Sequence, residues 1–346
     1  MAHPTRCLVL TGGLAADGPY GIDRLPELGY ELLEVRPASG RLHTKLRDVV
    51  EHRSGMPWDK TLRSIPQAWR SDLVLAFLER QALTAAAFKR HGLPPYAGRP
   101  LAMVSCWLAD ELRAMDAAAR RRIVASYEGV DLTLVLSENQ VDVMVDAGFR
   151  EGSVEAVSFG YAPSQFPHAS ASGRTRPVVA VGFDRWRDYA TLVESARGTG
   201  IPVDLYCHPG NIEGIDLPPE ITFHGVVPYG EYRQVVASAQ VVAVPTREMA
   251  YPSGQSVALE AGATGACLVI TNTPALREYV SEGTALLCPP GDAGAWRAAL
   301  TLATRDPGLR AELGETAASD FSSRFTYLQM WQQIDALFRA RGWSRE

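Results

Sequence analysis

Pro252, Ser253, Gly254, Gln255 and Ser256 form a short polar turn that leads straight into an apolar segment, residues 257–263, with one acid, Glu260, inside it. A turn of this kind leaves backbone N–H groups at a helix N-terminus without helical partners. Together with the helix dipole, such groups can hold a diphosphate without a metal ion. In isolation, an ordinary N-cap by Ser253 or Ser256 is the simpler account of the same residues. Glu260 is harder to set aside. Val257, Ala258, Leu259, Ala261 and Ala263 make the segment apolar on most sides, and a buried carboxylate without partners is costly.

The elements that must position this turn are legible in the hydrophobic pattern. CLVLTGG, YELLEVRP, SDLVLAFLE, LAMVSCW, DLTLVLSEN and VEAVSFGYA read as strands in the first half. PVVAVGF, PVDLYCHPG, EITFHGVV, QVVAVPT, CLVITNT and TALLCPP read as strands in the second, with helical segments between most of them. Strands alternating with helices imply parallel sheets. The stretch PSQFPHASASGRTRP lacks periodicity and reads as a linker. The expected organisation is therefore α/β with two Rossmann-like domains: residues 1–162, a linker at 163–177, and residues 178–325. The chain ends in an amphipathic helix, about 326–346. Ligands of open α/β sheets bind at the carboxyl ends of the strands, so two sheets facing a central cleft are expected. No G-x-G-x-x-G follows the first strand, so the dinucleotide fingerprint is missing.

The bulk numbers remove several classes. At 46% hydrophobic and 21% charged, the chain has the composition of a soluble globular protein. A net charge of -5 argues against a general nucleic-acid binder. Cys7, Cys106, Cys207, Cys267 and Cys288 are scattered and never in C-x-x-C, as buried reduced thiols of a cytoplasmic protein would be. The scarcity of lysine reads as a GC-rich, bacterial genome. No stretch approaches the length of a spanning helix. Residues 41–70 carry Arg41, His43, Lys45, Arg47, His52, Arg53, Lys60 and Arg63, which suits an anionic acceptor or a membrane surface. Asp48, Glu51 and Asp59 interrupt them, which favours a solvated face.

An ordered series of residues resembles a known family. Gly225 stands at its "F-x-G", Pro245 ends the strand before its donor loop, and Glu260-Ala261 matches its "L-E-A". Gly265 precedes the next strand, Glu278 falls at "E-x-V", and Pro289-Pro290-Gly291-Asp292 matches "P-P-G-D". Across nearly all of residues 178–338 the chain is similar to the C-terminal domain of family 4 glycosyltransferases, which have the GT-B fold. In the first half TGG and SFGYAPSQF are consistent with it. The resemblance implies transfer of a sugar from a nucleotide-diphosphate sugar, UDP- or GDP-linked, with retention of configuration. It implies no metal, and no D-x-D pair is present. The acceptor would be a small molecule, a lipid or a glycan.

The same resemblance implies roles. Gly254, Gln255 and Ser256 would hold the donor diphosphate, and Glu260 would clamp the ribose hydroxyls, since a carboxylate accepts two hydrogen bonds at once. Arg187 would pair with the phosphates, and Arg185 less so. Gly12 and Gly13 would let the first loop approach the donor. His208 and Val227 would lie by the base. The family's first glutamate of E-x7-E falls on Pro252, and Glu248 is the candidate to replace it. The family's His in the first domain is absent from MVSCWLADEL, where Trp107 and Asp110 would line the acceptor pocket. Two alternatives follow from these departures: a non-catalytic GT-B protein that binds nucleotide sugars or serves as a partner subunit, and, ranked last, a UDP-sugar epimerase.

Overall fold

A computed structural model describes residues 3–17, 20–38, 40–170 and 173–344. The chain splits into two compact units, residues 1–158 with 327–346, and residues 159–326.

The first unit is built on strands β1 (Thr5–Leu10), β2 (Tyr30–Leu33), then helices α1 (Arg41–Ser54), α2 (Trp58–Arg63) and α3 (Ile65–Arg70). It continues with β3 (Leu73–Phe77), α4 (Glu79–Arg90), β4 (Leu101–Val104), α5 (Leu108–Ala114), α6 (Ala117–Ser126), β5 (Leu132–Val135), α7 (Glu138–Ala147) and β6 (Val154–Ala156). The strand order is β2-β1-β3-β4-β5-β6, all parallel. Strands β3, β4 and β5 are buried at every position, as the central strands of a covered parallel sheet must be.

The second unit contains β7 (Arg176–Val181), α8 (Tyr189–Ala196), β8 (Val203–Tyr206), β9 (Ile221–Phe223), α9 (Tyr229–Ser238) and β10 (Ala239–Val244). It ends with α10 (Gln255–Ala263), β11 (Cys267–Thr271), β12 (Ala285–Cys288), α11 (Ala293–Arg305) and α12 (Pro307–Arg324). Its parallel order is β12-β11-β10-β7-β8-β9. The chain runs outward from β7 to β9, then restarts at β10 on the other side of β7. That reversal is the topological switch point, where ligands of open α/β sheets bind. The first sheet has its own switch point, between β1 and β3. The whole is the two-domain α/β architecture of the GT-B fold.

The final helix, α13 (Tyr327–Ala340), packs with the first unit, the crossing back to the first domain that the GT-B resemblance implies for the last helix, about 326–346. Met330, Trp331, Ile334 and Phe338 are buried. Tyr30 donates to Asp335 Oδ1 at 2.6 Å, and Trp331 Nε1 donates to the Tyr20 carbonyl at 3.0 Å. The stretch 163–177 packs on the second unit, with Ala171 and Ser172 outside the described residues. Phe166 is buried and sits edge-on to Tyr229 and Tyr232, and Arg174 donates to the Thr264 and Ala239 carbonyls. All five cysteines are free and buried. Among the described residues no helix is long and apolar enough to cross a membrane.

Residues 41–70, read in sequence only as a charged stretch, form three helices. The helical run in ADELRAMDAAARRRIVASYE is two helices, because Asp116 caps a fresh N-terminus through the N–H groups of Ala118 and Ala119, each at 2.8 Å.

Helix α10 is held at its far end by close contact with α12. A Cβ on Gly314 would stand 2.2 Å from the Gly265 carbonyl oxygen, a backbone atom that cannot turn aside. Gly314→Ala is therefore expected to destabilise the protein by about 1–3 kcal/mol. Urea unfolding measures it, and unchanged stability would mean that α12 does not clamp the turn after α10.

Candidate functional site

The loops after β7 and β10 meet at the switch point of the second sheet. Arg187 and Thr246 form an isolated antiparallel bridge, and Arg247 N–H donates to the Trp186 carbonyl at 2.9 Å. Asp188 N–H donates to the Pro245 carbonyl at 3.1 Å. These bonds fix the Arg187 backbone. Its side chain is placed by two glycines. A Cβ on Gly182 would come within 2.6 Å of Arg187 Nε, and one on Gly254 within 2.7 Å of Arg187 Nη1. Both glycines have positive φ, +146° and +93°, so the backbone and the space each demand a residue without a side chain.

Arg187 is only 6% exposed, yet its Nε and Nη1 have no hydrogen-bond partner among the described residues. Among the described residues, five buried side-chain atoms without a partner gather here: Arg187 Nε and Nη1, Trp186 Nε1, Asn211 Oδ1 and Thr246 Oγ1. Native interiors leave few polar atoms unanswered, so this concentration marks a place built for a ligand. Asn211 belongs to it because its Nδ2 donates to the Asp184 carbonyl at 3.2 Å.

Gly254 caps α10 with no side-chain hydrogen bond, and the first-turn N–H groups of Gln255, Ser256 and Val257 have no acceptor within the helix. Gln255 N–H turns back to the Pro252 carbonyl at 3.0 Å, and its side-chain amide donates to Tyr251 Oη at 2.8 Å. Gln255 is thus engaged inside the unit, and Ser256 is half-buried. Glu260 lies in the fully apolar part of α10 and is 6% exposed. Its carboxylate accepts a short hydrogen bond from Tyr232 Oη on α9. Burial pushes the Glu260 carboxyl up to about 7, partly offset by that bond. The Tyr232 hydroxyl is raised by burial and by the Glu260 charge, and Arg187 is close enough to pull it the other way. Arg187, Tyr232 and Glu260 therefore share one neighbourhood.

The remaining expected residues of this unit lie nearer the surface. Arg185 is exposed, its guanidinium 5.2 Å from the Trp186 ring. His208 is exposed at the end of β8, edge-on to the exposed Phe183 ring at 5.4 Å. Val227 is half-buried between β9 and α9, and Glu248 is exposed between β10 and α10. Pro252 is buried.

Residues 208–306 match the family described as Glycosyl transferases group 1. The second unit carries a glycosyltransferase domain. Among solved structures the chain is similar to Anabaena Alr3699/HepE in complex with UDP-glucose, at 16% identity and a TM-score of 0.71, covering 98% of this chain and 100% of that one. Sucrose-phosphate synthase (tll1590) from Thermosynechococcus elongatus gives 19% identity and a TM-score of 0.70, covering 97% and 100%. A glycosyltransferase from Rickettsia africae ESF-5 gives 11% identity and a TM-score of 0.67, covering 98% and 99%. No curated protein matches it by sequence.

In the first unit, Gly12 and Gly13 follow β1. Lys60 on α2 holds their loop, donating to the Thr11 carbonyl at 2.6 Å and to the Gly13 carbonyl. A Cβ on Gly12 would meet nothing within 4 Å. A cavity of about 400 Å³ opens at this switch point, lined by Thr11, Gly12, Arg47, Glu51, Arg80 and Gln81 among others. Trp107 and Asp110 lie elsewhere, at the start of α5, and Asp110 sits 4.0 Å from Arg113. The α5 N-terminus is already filled. Glu79 Oε1 accepts from the N–H groups of Cys106, Trp107 and Leu108 at 2.5, 2.6 and 3.2 Å, and from Ser105 Oγ at 3.0 Å. Sequence reasoning missed Glu79, Gly182 and Tyr232. Only Gly182 left a signal, as a glycine directly after an apolar strand.

Glu260 fixes the sign of a pH effect. Its folded pKa is above the ordinary 4.5, so the folded protein holds this proton more tightly than the unfolded chain. Stability falls as pH rises from about 4.5 through about 7, because the ionised form is the disfavoured one. Glu260→Gln should lose this dependence, gaining on the wild type by up to about 3 kcal/mol between pH 5 and pH 8. Parallel urea titrations at the two pH values measure it, and identical pH profiles would contradict a buried, proton-holding Glu260.

Proposed function

We propose that the protein transfers a sugar from a nucleotide-diphosphate sugar, UDP- or GDP-linked, to a small-molecule, lipid or glycan acceptor, with retention of configuration. The carrying observation is the buried Arg187 guanidinium, with two N–H groups unanswered, beside the bare N-terminus of α10. A buried cation without a partner is costly. A diphosphate would supply the missing acceptors, and Arg offers a planar fork for its oxygens. The bond between the sugar's anomeric carbon and the diphosphate oxygen breaks, and one to the acceptor oxygen forms on the same face. The acceptor's proton passes to the leaving diphosphate. Arg187 and the N–H groups at Gly254 and Ser256 neutralise the charge that this oxygen gains, with the Gln255 N–H held by the Pro252 carbonyl as part of the turn, and the chemistry is assigned no metal ion.

Glu260 is assigned to the ribose. Hydroxyls donating to its carboxylate would favour the charged form. Phe183, His208 and Val227 are assigned to the base, with Arg185 beside the diphosphate. Glu248 is assigned to the transferred sugar. Gly12 and Gly13 are assigned to the donor side of the first unit, and Trp107 and Asp110 to the acceptor. That a structural relative carries UDP-glucose favours a UDP-sugar donor. A second reading, nucleotide-sugar binding without transfer, is favoured by the buried Pro252 at the position of the family's first acid.

Arg187→Met tests the reading because stability and binding should move apart. Removing an unpaired buried charge should leave the ligand-free protein as stable or up to about 3 kcal/mol more stable. The wild type should be stabilised by UDP- or GDP-sugars, by about 2.7 kcal/mol at about 100 times Kd, and the variant should not. A thermal-shift panel of UDP-, GDP-, dTDP- and ADP-sugars reads both. The proposal fails if no nucleotide sugar stabilises the wild type, or if the variant keeps the shift. Product formation then separates transfer from mere binding.

A further inference from the structure

Helix α1 is inside out. None of its residues is buried. His43, Thr44, Arg47 and Glu51 are its least exposed positions and mark the face turned to the body. His43 Nε2 meets Asp59 Oδ1 at 2.6 Å, and Glu51 accepts the Asp59 N–H at 3.1 Å. The outward face carries Leu42, Leu46, Val49 and Val50, which are 84%, 63%, 43% and 44% exposed. Their spacing makes one continuous stripe, and a soluble fold normally turns such a stripe to its core.

The charges are sorted as well. Arg41, Lys45 and Arg53 are exposed and make no hydrogen bond or ion pair among the described residues. By helical spacing, Arg41 and Lys45 flank the stripe and Arg53 stands at its end. The acids do not compete. Glu51 faces the body, and Asp48 is held by Arg47 at 2.6 Å. An exposed apolar stripe rimmed by cations, in a chain of net charge -5, fits an interface between apolar and anionic layers.

We propose that α1 lies on a bilayer surface that carries anionic lipids. Leu42, Leu46, Val49 and Val50 enter the acyl boundary while Arg41, Lys45 and Arg53 meet the headgroups. A second copy of the chain is a poorer occupant, because stripe-to-stripe docking would oppose two cationic rims. Arg47, Asp48, Glu51 and His52 on the same helix line the cavity after β1, so a docked bilayer would lie beside that cavity. The inference does not rest on the transfer chemistry.

Flotation of the full chain with two kinds of vesicle tests it: phosphatidylcholine alone, and an equimolar mixture with phosphatidylglycerol. The wild type should float with the mixed vesicles, less with neutral ones, and less as salt is raised. Leu42→Ser with Leu46→Ser should weaken binding roughly tenfold or more per leucine. Lys45→Glu with Arg53→Glu should abolish the preference for anionic lipid. Both pairs occupy exposed positions, so circular dichroism and thermal unfolding should match the wild type. Three results would each overturn the proposal: no flotation with either vesicle, flotation unchanged by both variants, or a stripe-dependent dimer in sedimentation without lipid.

Discussion

The guanidinium of Arg187 is the constraint around which the second unit is arranged. It is held out of water by backbone on two sides, at Gly182 and Gly254, and no acid among the described residues pairs with it. Such a group persists only where its surroundings over-determine it. Here the bridge to Thr246 and the bonds at Asp188 and Arg247 tie the loop after β7 to the loop after β10. The two loops can meet because β7 and β10 are neighbours at the point where the strand order reverses. Sheet topology, the paired glycines and the exposed dipoles of α10 all serve one placement of one positive charge.

A carboxylate lies in the same neighbourhood and does not neutralise it. Glu260 takes its hydrogen bond from Tyr232 instead. A direct Arg187–Glu260 pair would have been cheaper to bury, but it would have consumed both groups. With tyrosine as the partner, the carboxyl rises toward neutrality and the cation stays unanswered. The unit thus keeps a buried cation and a buried carboxyl that do not pair with each other.

How much of this the sequence revealed depends on the range of each interaction. The alternation of apolar strands and helices was readable because it is local, and so were the turn at Gly254 and the acid at Glu260. Arg187 was named from its place in the chain, but its burial depends on Gly182 and Gly254, brought together only by the fold. Glu79 satisfies an N-terminus 26 to 29 residues away, and no periodicity encodes that. Tyr232 reaches Glu260 across two elements. Helix α1 failed to declare itself for the opposite reason. A helical stripe in a sequence says which residues share a face, and cannot say whether that face turns inward.

The buried proline at 252 shows how the turn works as a part. Ser253 Oγ donates to Asp184 Oδ2 at 3.1 Å, and Asp184 Oδ1 accepts from the Trp186 N–H at 2.9 Å. The turn before α10 is thereby stitched to the loop that carries Arg187. A proline there has a fixed φ, and its ring is packed into the frame. It offers no side-chain acceptor to a sugar hydroxyl. The turn serves as scaffold for the loop that carries Arg187, so under the proposed transfer an acid for the sugar would come from a different position, and the exposed Glu248 lies on the same connection from β10 to α10.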